Sequence, residues 1–308
     1  MKKDLLSLYD LTKDDIDKII KRASILKAKH KQGEQYYPLK GKTLGMIFEK
    51  PSTRTRVSFE TGIFQLGGQA IFLRWADTQL GRGESTHDTA KALSRYIDAI
   101  MIRTFSQTTV EDLASFADIP VINGLTDHCH PCQILADILT VYERRGSFDG
   151  LKAVYIGDGN NIAVSWINVA LRLGFDLTLA CPDGHGPDVD VLSRAQKEAS
   201  SKIVLITDPV EAAKGADVIS TDTWVSMGQE EERQERLDAF KGYQVNEELI
   251  AVSKEDVMIM HCLPAHRGEE ISDGVIDGKN SVVFDQAENR LHVQKAVLEI
   301  LMGNRTAL

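Results

Sequence analysis

Leu44-Gly45-Met46-Ile47-Phe48-Glu49-Lys50-Pro51-Ser52-Thr53-Arg54-Thr55-Arg56 joins an apolar run to the start of a helical pattern. The order is strand, turn, helix start. Two hydroxyl residues and an arginine stand where a first helical turn leaves backbone N–H groups without intrahelical partners. The helix dipole adds partial positive charge at that end. A small dianion such as a phosphate group fits this combination. Ser52 and Thr55 are three apart and share a helix face, whereas Arg54 and Arg56 are two apart and do not. The spacing assigns Arg54 to the ligand and Arg56 to a structural pair. The bland alternative is an ordinary capped helix with surface arginines.

The same alternation continues on both sides. Apolar runs at 43–48, 69–73, 99–103 and 120–123 read as strands, with helices at 54–66, 86–96 and 109–116 between them. Before them, Ile16, Ile19, Ile20, Ala23 and Leu26 form one face of an amphipathic helix capped by Thr12 or Asp10. A longer helix at 132–145 ends at Gly146, a natural C-cap, and 147–150 reads as a boundary turn. A second series follows, with strands at 152–156, 176–180, 202–206, 218–221, 257–261 and 282–284. Its helices fall at 162–173, 189–200, 209–213 and 246–251, and 293–302 is a terminal helix. The charged run 228–236 reads as a solvated loop or helix. Such alternation predicts an α/β fold of two doubly wound parallel-sheet domains joined by interdomain helices. The expected domains are 1–146 together with 288–308, and 147–287.

Composition bounds the function. The chain has 308 residues, of which 43% are hydrophobic and 26% charged, enough for two globular domains. A net charge of −9 argues against a nucleic-acid or anionic-membrane partner. No apolar run approaches the length of a membrane span, and the start Met1-Lys2-Lys3-Asp4 leads into a polar helical pattern rather than a signal region. The four cysteines do not suggest a disulfide scaffold, so a reducing cytoplasm is the expected setting.

Four further segments follow expected strands and carry chemistry. Gly157-Asp158-Gly159-Asn160-Asn161 opens like a dinucleotide fingerprint, but Ile162 stands where its third glycine would fall. Its alternative is a tight turn at the ligand-binding edge of a parallel sheet, with Asn161 offering an amide. His128-Cys129-His130-Pro131-Cys132-Gln133 crowds its potential metal ligands too closely to wrap one tetrahedral ion. It reads better as a loop-to-helix junction presenting His130 and Gln133, with Cys129 and Cys132 as buried thiols. Asp222-Thr223-Trp224-Val225-Ser226-Met227-Gly228 offers a carboxylate to a cationic amine, or is a solvent-facing loop. In His261-Cys262-Leu263-Pro264, the first two side chains point to opposite faces of extended backbone and form no nucleophilic pair. Arg103 ends an apolar strand, where an arginine is costly unless it meets an anion or a polarised oxygen. Arg290 opens the terminal helix and either reaches back to the same place or pairs with Glu288.

Taken in order, these segments resemble the aspartate/ornithine carbamoyltransferase family over essentially the whole chain. The resemblance rests on Ser52-Thr53-Arg54-Thr55-Arg56, Gln79-Leu80-Gly81, Arg103, His130-Pro131-Cys132-Gln133, Asp158-Gly159-Asn160-Asn161, Asp222 with Ser226-Met227-Gly228, His261-Cys262-Leu263-Pro264 and Ala287-Glu288-Asn289-Arg290. The Ser-Met-Gly and His-Cys-Leu-Pro segments resemble the ornithine-using branch. The resemblance implies that Ser52, Thr53, Arg54 and Thr55 hold the phosphate of carbamoyl phosphate. It implies that Thr55, Arg103 and His130 point at the carbonyl oxygen, while Gln133 and the backbone of Cys262 and Leu263 hold the carbamoyl amide. Arg290 joins that site, and Gln79 lies on a loop that completes a site across a subunit boundary. Asn161, Asp222, Ser226 and Met227 hold ornithine, with Asp222 and Cys262 nearest the reacting amine. The implied catalytic set is Arg103, His130, Asp222 and Cys262. No cofactor and no metal are implied, and the assembly is a homotrimer or a multiple of trimers. The rival readings are a carbamoyltransferase for aspartate or putrescine, a dinucleotide-dependent oxidoreductase and a phosphate- or metal-binding regulator.

Overall fold

Apolar segments long enough for one strand each, separated by amphipathic helices, build two parallel sheets. The structure, a computed structural model, describes residues 3–226, 228 and 230–303. The chain divides into two compact units, 1–139 with 288–308, and 140–287.

In the first unit, helix α1 (Lys13–Lys31) begins with a reciprocal capping box. Thr12 Oγ1 accepts from Asp15 N–H at 3.2 Å and Asp15 Oδ2 accepts from Thr12 N–H at 3.1 Å. Strand β1 (Thr43–Phe48) is followed by α2 (Thr53–Gln65), β2 (Gln69–Arg74), α3 (Thr86–Leu93), β3 (Ala99–Arg103), α4 (Gln107–Phe116), β4 (Val121–Leu125) and α5 (Pro131–Arg145). The sheet order is β2-β1-β3-β4, all parallel. Every residue of β3 and β4 is buried, as strands covered on both faces require. The strand order reverses between β1 and β3, so the crevice beyond their carboxyl ends is where a ligand is expected. The β3–β4 register slips between Ile102 and Arg103, a bulge immediately beside the arginine.

In the second unit, β5 (Lys152–Ile156), α6 (Asn161–Leu173), β6 (Asp176–Ala180), α7 (Val189–Glu198), β7 (Ile203–Ile206), α8 (Pro209–Ala213) and β8 (Val218–Thr221) alternate regularly. They are followed by α9 (Arg233–Ala239), α10 (Glu247–Val252), β9 (Met258–His261), α11 (Asp273–Ile276) and α12 (Val283–Met302). The parallel order is β7-β6-β5-β8-β9, which reverses between β5 and β8. Val154, Ile156, Ile219, Ile259, Phe240 and Trp224 belong to the core of this unit. The chain passes from one unit to the other within α5 and returns within α12. Two doubly wound parallel sheets are therefore present, as the alternation predicts.

Two expectations change. The run 282–284 is not a strand. Ile259 and Ser281 form an isolated bridge and Val282 N–H donates to Ile259 O at 3.0 Å, but Gln286 N–H already donates to Val282 O at 2.8 Å, so the helix takes over at Val283. A three-residue apolar run suits either structure, and the helical period beyond it decides. Arg290 consequently lies mid-helix rather than at its start. The charged run 228–236 is helical from Arg233, and Arg236 is buried rather than solvated.

Gly157 and Gly159 serve chain packing. Gly157 has φ +137°, a conformation that favours glycine. A Cβ on Gly159 would lie 2.1 Å from backbone atoms of Gly186 and Pro187. Because the obstacle is backbone, Gly159→Ala should cost ~1–3 kcal/mol through overpacking. Thermal unfolding should show a lower Tm than the wild-type protein, and an unchanged Tm would refute this packing role.

Candidate functional site

In the first unit, the turn after β1 is tied to the neighbouring strand ends. Lys50 is buried, pairs with Asp127 and lies 4.3 Å from the Phe105 ring centroid. Glu49 accepts from the Thr104 hydroxyl, and its own N–H donates to Arg103 O at 2.9 Å. These bonds fix the entry to α2. Ser52 is its N-cap, accepting from Thr55 N–H at 3.2 Å, and the Ser52 hydroxyl donates to Thr55 Oγ1 at 3.0 Å. Thr53 is exposed on the first turn.

Arg290 gathers the surrounding side chains. Its Nη2 donates to Thr55 Oγ1 at 3.0 Å, and its Nη1 to Gln133 Oε1 at 2.5 Å and to His130 Nε2 at 3.2 Å. Gln133 in turn donates to Asp137 Oδ1 at 2.8 Å. Thr55, Arg103, His130, Gln133 and Arg290 are all buried. A guanidinium only donates, so His130 Nε2 is the acceptor and the imidazole proton resides on Nδ1. Burial, then Arg290 and Arg103, hold His130 well below the usual histidine range, which keeps it neutral. Arg290 therefore pairs within this cluster rather than with Glu288.

The two arginines of the α2 start differ as their spacing predicts. Arg56 Nε lies 2.9 Å from Glu60 Oε1, and its guanidinium lies 3.9 Å from the Phe72 ring centroid. Among the described residues, the Arg54 guanidinium has no hydrogen-bond or ion-pair partner. It is half-buried beside the helix N-terminus. Gln79 stands apart from the cluster, exposed on a loop that continues into a short 3-10 turn at Leu80–Arg82.

The second unit presents a different set at its switch point. Asp222, 9% exposed, follows β8. Its Oδ1 accepts from the Cys262 thiol at 3.0 Å and its Oδ2 from Asn160 Nδ2 at 3.0 Å. Asn160 is also the N-cap of α6, with its Oδ1 accepting from Ile162 N–H at 2.9 Å and Ala163 N–H at 3.4 Å. Asn161 is the first residue of α6 and Ser226 lies on the loop beyond β8; both are half-buried. Met227 lies outside the described residues.

Two residues of this unit escape a reading of the sequence. Asn160 orients Asp222 directly, and its signal was the preference of asparagine for N-cap positions. Arg236 donates to Trp224 O at 3.1 Å and to Glu232 Oε2 at 3.0 Å, and lies 3.2 Å from Asp158 Oδ2. It thereby ties the loop after β8 to the turn after β5. Nothing in its charged neighbourhood announces that role.

Potential metal ligands lie close together in two places, the 128–133 segment and the surroundings of Asp222. Cys129 and Cys132 are buried, with thiols pushed up to about 12 by desolvation. Asp222, His261 and Cys262 bring potential ligand atoms within 4.8 Å of one another. Both ring nitrogens of His261 are engaged, however, by Glu270 Oε1 at 2.9 Å and by Leu263 N–H at 2.9 Å. That leaves too few donors to hold an ion.

Comparison with known proteins agrees with this geometry. Residues 3–143 match the family pattern described as aspartate/ornithine carbamoyltransferase, carbamoyl-P binding domain. Residues 149–301 match aspartate/ornithine carbamoyltransferase, Asp/Orn binding domain. The ornithine carbamoyltransferase of Syntrophus aciditrophicus is 60% identical over 302 residues, covering 98% of this chain and 100% of that one. That of Pelobacter propionicus is 54% identical over 98% of this chain and 99% of its own. The solved ornithine carbamoyltransferase of Pyrococcus furiosus superposes with a TM-score of 0.94 at 53% identity, covering 97% of this chain and 96% of that one. With both halves matched and relatives this similar along their full length, the chain belongs to the aspartate/ornithine carbamoyltransferase family.

Proposed function

We propose that this protein transfers the carbamoyl group of carbamoyl phosphate to the δ-amine of L-ornithine, giving L-citrulline and phosphate. The observation that carries the reading is the buried Arg290 cluster, which includes Thr55 of the α2 N-terminus, together with Arg54 on the same first turn, whose guanidinium has no partner among the described residues. A carboxylate-thiol pair at the switch point of the other sheet adds an amine-binding element. The relatives' names supply the substrates, and the geometry supplies the chemistry.

The amine attacks the carbamoyl carbon, a C–N bond forms, and negative charge develops on the carbonyl oxygen. The C–O bond to phosphate then breaks, phosphate leaves with the electron pair, and the amine proton is released. Ser52, Thr53, Arg54 and Thr55 hold the phosphate, and Arg54 stabilises it as it departs. Thr55, Arg103 and the neutral imidazole of His130 face the carbonyl oxygen, where preorganised donors lower the barrier most. Gln133, Arg290 and the backbone of Cys262 and Leu263 complete the carbamoyl phosphate site. No covalent intermediate is needed, so Cys262 need not be a nucleophile. The attacking amine has a solution pKa near ~10 and must be bound neutral, which desolvation and nearby arginines favour. Asp222 favours a charged amine and therefore orients the α-amino group, with Asn161, Ser226 and Met227 reading the rest of the amino acid.

The active assembly is a homotrimer or a multiple of trimers. Strand β2 is a sheet edge with one neighbour, and Ile71, Phe72 and Val57 are exposed around it, which favours self-association. Gln79 on its exposed loop completes the site of a neighbouring subunit. No helix among the described residues is long and apolar enough to cross a membrane, and a cytoplasmic setting suits four cysteines in the reduced, thiol form.

The deciding assay is citrulline formation from carbamoyl phosphate and ornithine, with putrescine and aspartate as alternative amines. Ornithine-selective turnover is expected; selective turnover of either other amine would overturn the acceptor assignment. Arg54→Met should lower kcat/KM by about 10²–10³-fold, the scale of losing one charge-stabilising group. It should leave folding intact, because the side chain has no hydrogen-bond or ion-pair partner among the described residues. Arg56→Met should change activity only a few-fold, and equal losses at the two positions would contradict their division of roles. Asp222→Asn should raise the ornithine KM more than it lowers kcat; an unchanged KM would remove Asp222 from ornithine binding.

A further inference from the structure

At the end of α2 remote from Ser52, a groove of about 630 Å³ opens in the first unit. Leu26 of α1, Tyr36 and Tyr37 of the loop after it, Phe64 near the end of α2 and Lys295 of α12 line it, and every lining residue belongs to that unit. Its volume is that of a small-molecule site. Thr55 and Gln65 are separated by roughly 15 Å of helix, at 1.5 Å of rise per residue. The groove shares no residue with the Ser52–Thr55 turn or with the Arg290 cluster.

The groove is cationic in an acidic protein. Lys29, Lys40 and Lys295 line it against one glutamate, Glu34, whereas the whole chain carries a net charge of −9. Lys29 and Glu34 pair with each other, which leaves Lys40 and Lys295 in excess. Lys295 is 5% exposed. An ammonium has three donors. Among the described residues, that of Lys295 donates to Gln65 Oε1 at 2.9 Å and forms no ion pair. Glu299, one turn further along α12, is already occupied. Arg22 Nε and Nη2 donate to its two oxygens at 2.7 and 2.6 Å, and the Tyr36 hydroxyl donates to it at 2.6 Å. Burial lowers the Lys295 ammonium from the usual lysine range, with Glu299 opposing. A buried cation without a counter-charge is costly, so an anion brought to it is stabilised.

The walls supply the second element of recognition. Tyr36 is fixed by its bonds to Arg22 and Glu299, while Tyr37 and Phe64 are exposed. The Lys295 stem lies beside Gly62, where an added Cβ would stand 3.4 Å from Lys295 Cγ, so the ammonium is presented from a packed surface. Exposed rings beside a desolvated cation suit a ligand with a flat apolar body and a charged end.

We propose that this groove is a binding site for a small amphipathic organic anion, with its apolar body against Tyr36, Tyr37 and Phe64 and its carboxylate, phosphate or sulfonate head on Lys295. A cationic ligand finds no free carboxylate there, because Glu34 is paired with Lys29. An inorganic anion gains nothing from the rings and is held weakly.

Anilinonaphthalene sulfonate is a probe of this chemistry, and its fluorescence can be titrated on the intact full-length protein. Saturable binding of one probe per chain is expected. Lys295→Met, which keeps an apolar stem, should weaken it by about tenfold or more, the scale of losing one charged partner. Phe64→Ser, at an exposed side chain, should weaken it a few-fold through lost ring contact. Lys279→Met, an exposed lysine of the other unit, should leave it unchanged. Saturating inorganic phosphate should not displace the probe. Absence of saturable binding to the wild-type protein would overturn the proposal. So would equal affinity in wild type, Lys295→Met and Phe64→Ser, or displacement by phosphate, which would place the probe at the Arg54 turn instead. None of these outcomes depends on citrulline formation, so the carbamoyl-transfer reading stands or falls separately.

Discussion

A buried guanidinium needs partners, and both terminal nitrogens of Arg290 find them on residues that enter from two other parts of the chain. Thr55 comes from the first turn of α2, and His130 and Gln133 come from the junction that opens α5. Leaving such a charge unpaired in the interior is strongly unfavourable. The return of α12 to the first unit is therefore coupled to the local geometry of two helix starts. Arg290 and Arg103, both buried, make this cluster electropositive. His130 remains neutral there because two guanidinium groups and burial all oppose its protonation.

The second unit solves a complementary problem. A carboxylate proposed to meet an amine must be held without being neutralised in advance. Asp222 is bonded by an amide and a thiol, neither of which carries a positive charge. Arg236, which ties the loop after β8 to the turn after β5, is directed to Asp158, Glu232 and a main-chain carbonyl. Burial raises the Asp158 carboxyl, and Arg236 and then His185 pull it back. The loop that begins at Asp222 is thus anchored at the Trp224 carbonyl.

Much of the fold was legible because parallel sheets covered on both faces demand short apolar runs at regular intervals. Strands at β1, β3, β5, β6 and β8 coincide with those runs to the residue. The misreading at 282–284 came from a run too short to express a period. Within the site, spacing on one helix separated Arg54 from Arg56, since i and i+2 positions face different ways. The places of Thr55, His130, Gln133 and Arg290 could be named from motifs, but their mutual bonds could not. Arg236 was invisible for a simpler reason: its partner Asp158 is distant in sequence, and a charged run gives no sign of which member will be buried. Asn160 and Asn161 are chemically identical neighbours, and only the backbone at a helix start decides which one faces Asp222.

The cysteines carry a consequence for how this molecule can be observed. Cys129, Cys132 and Cys181 are buried with thiols pushed up to about 12, so each stays protonated and shielded at neutral pH. Cys262 alone among the four is partly exposed, and it sits on the carboxylate assigned to the incoming amino acid. A thiol-directed fluorophore or nitroxide would therefore label one position without any prior mutagenesis. The native sequence thus supplies a spectroscopic window onto the surroundings of Asp222.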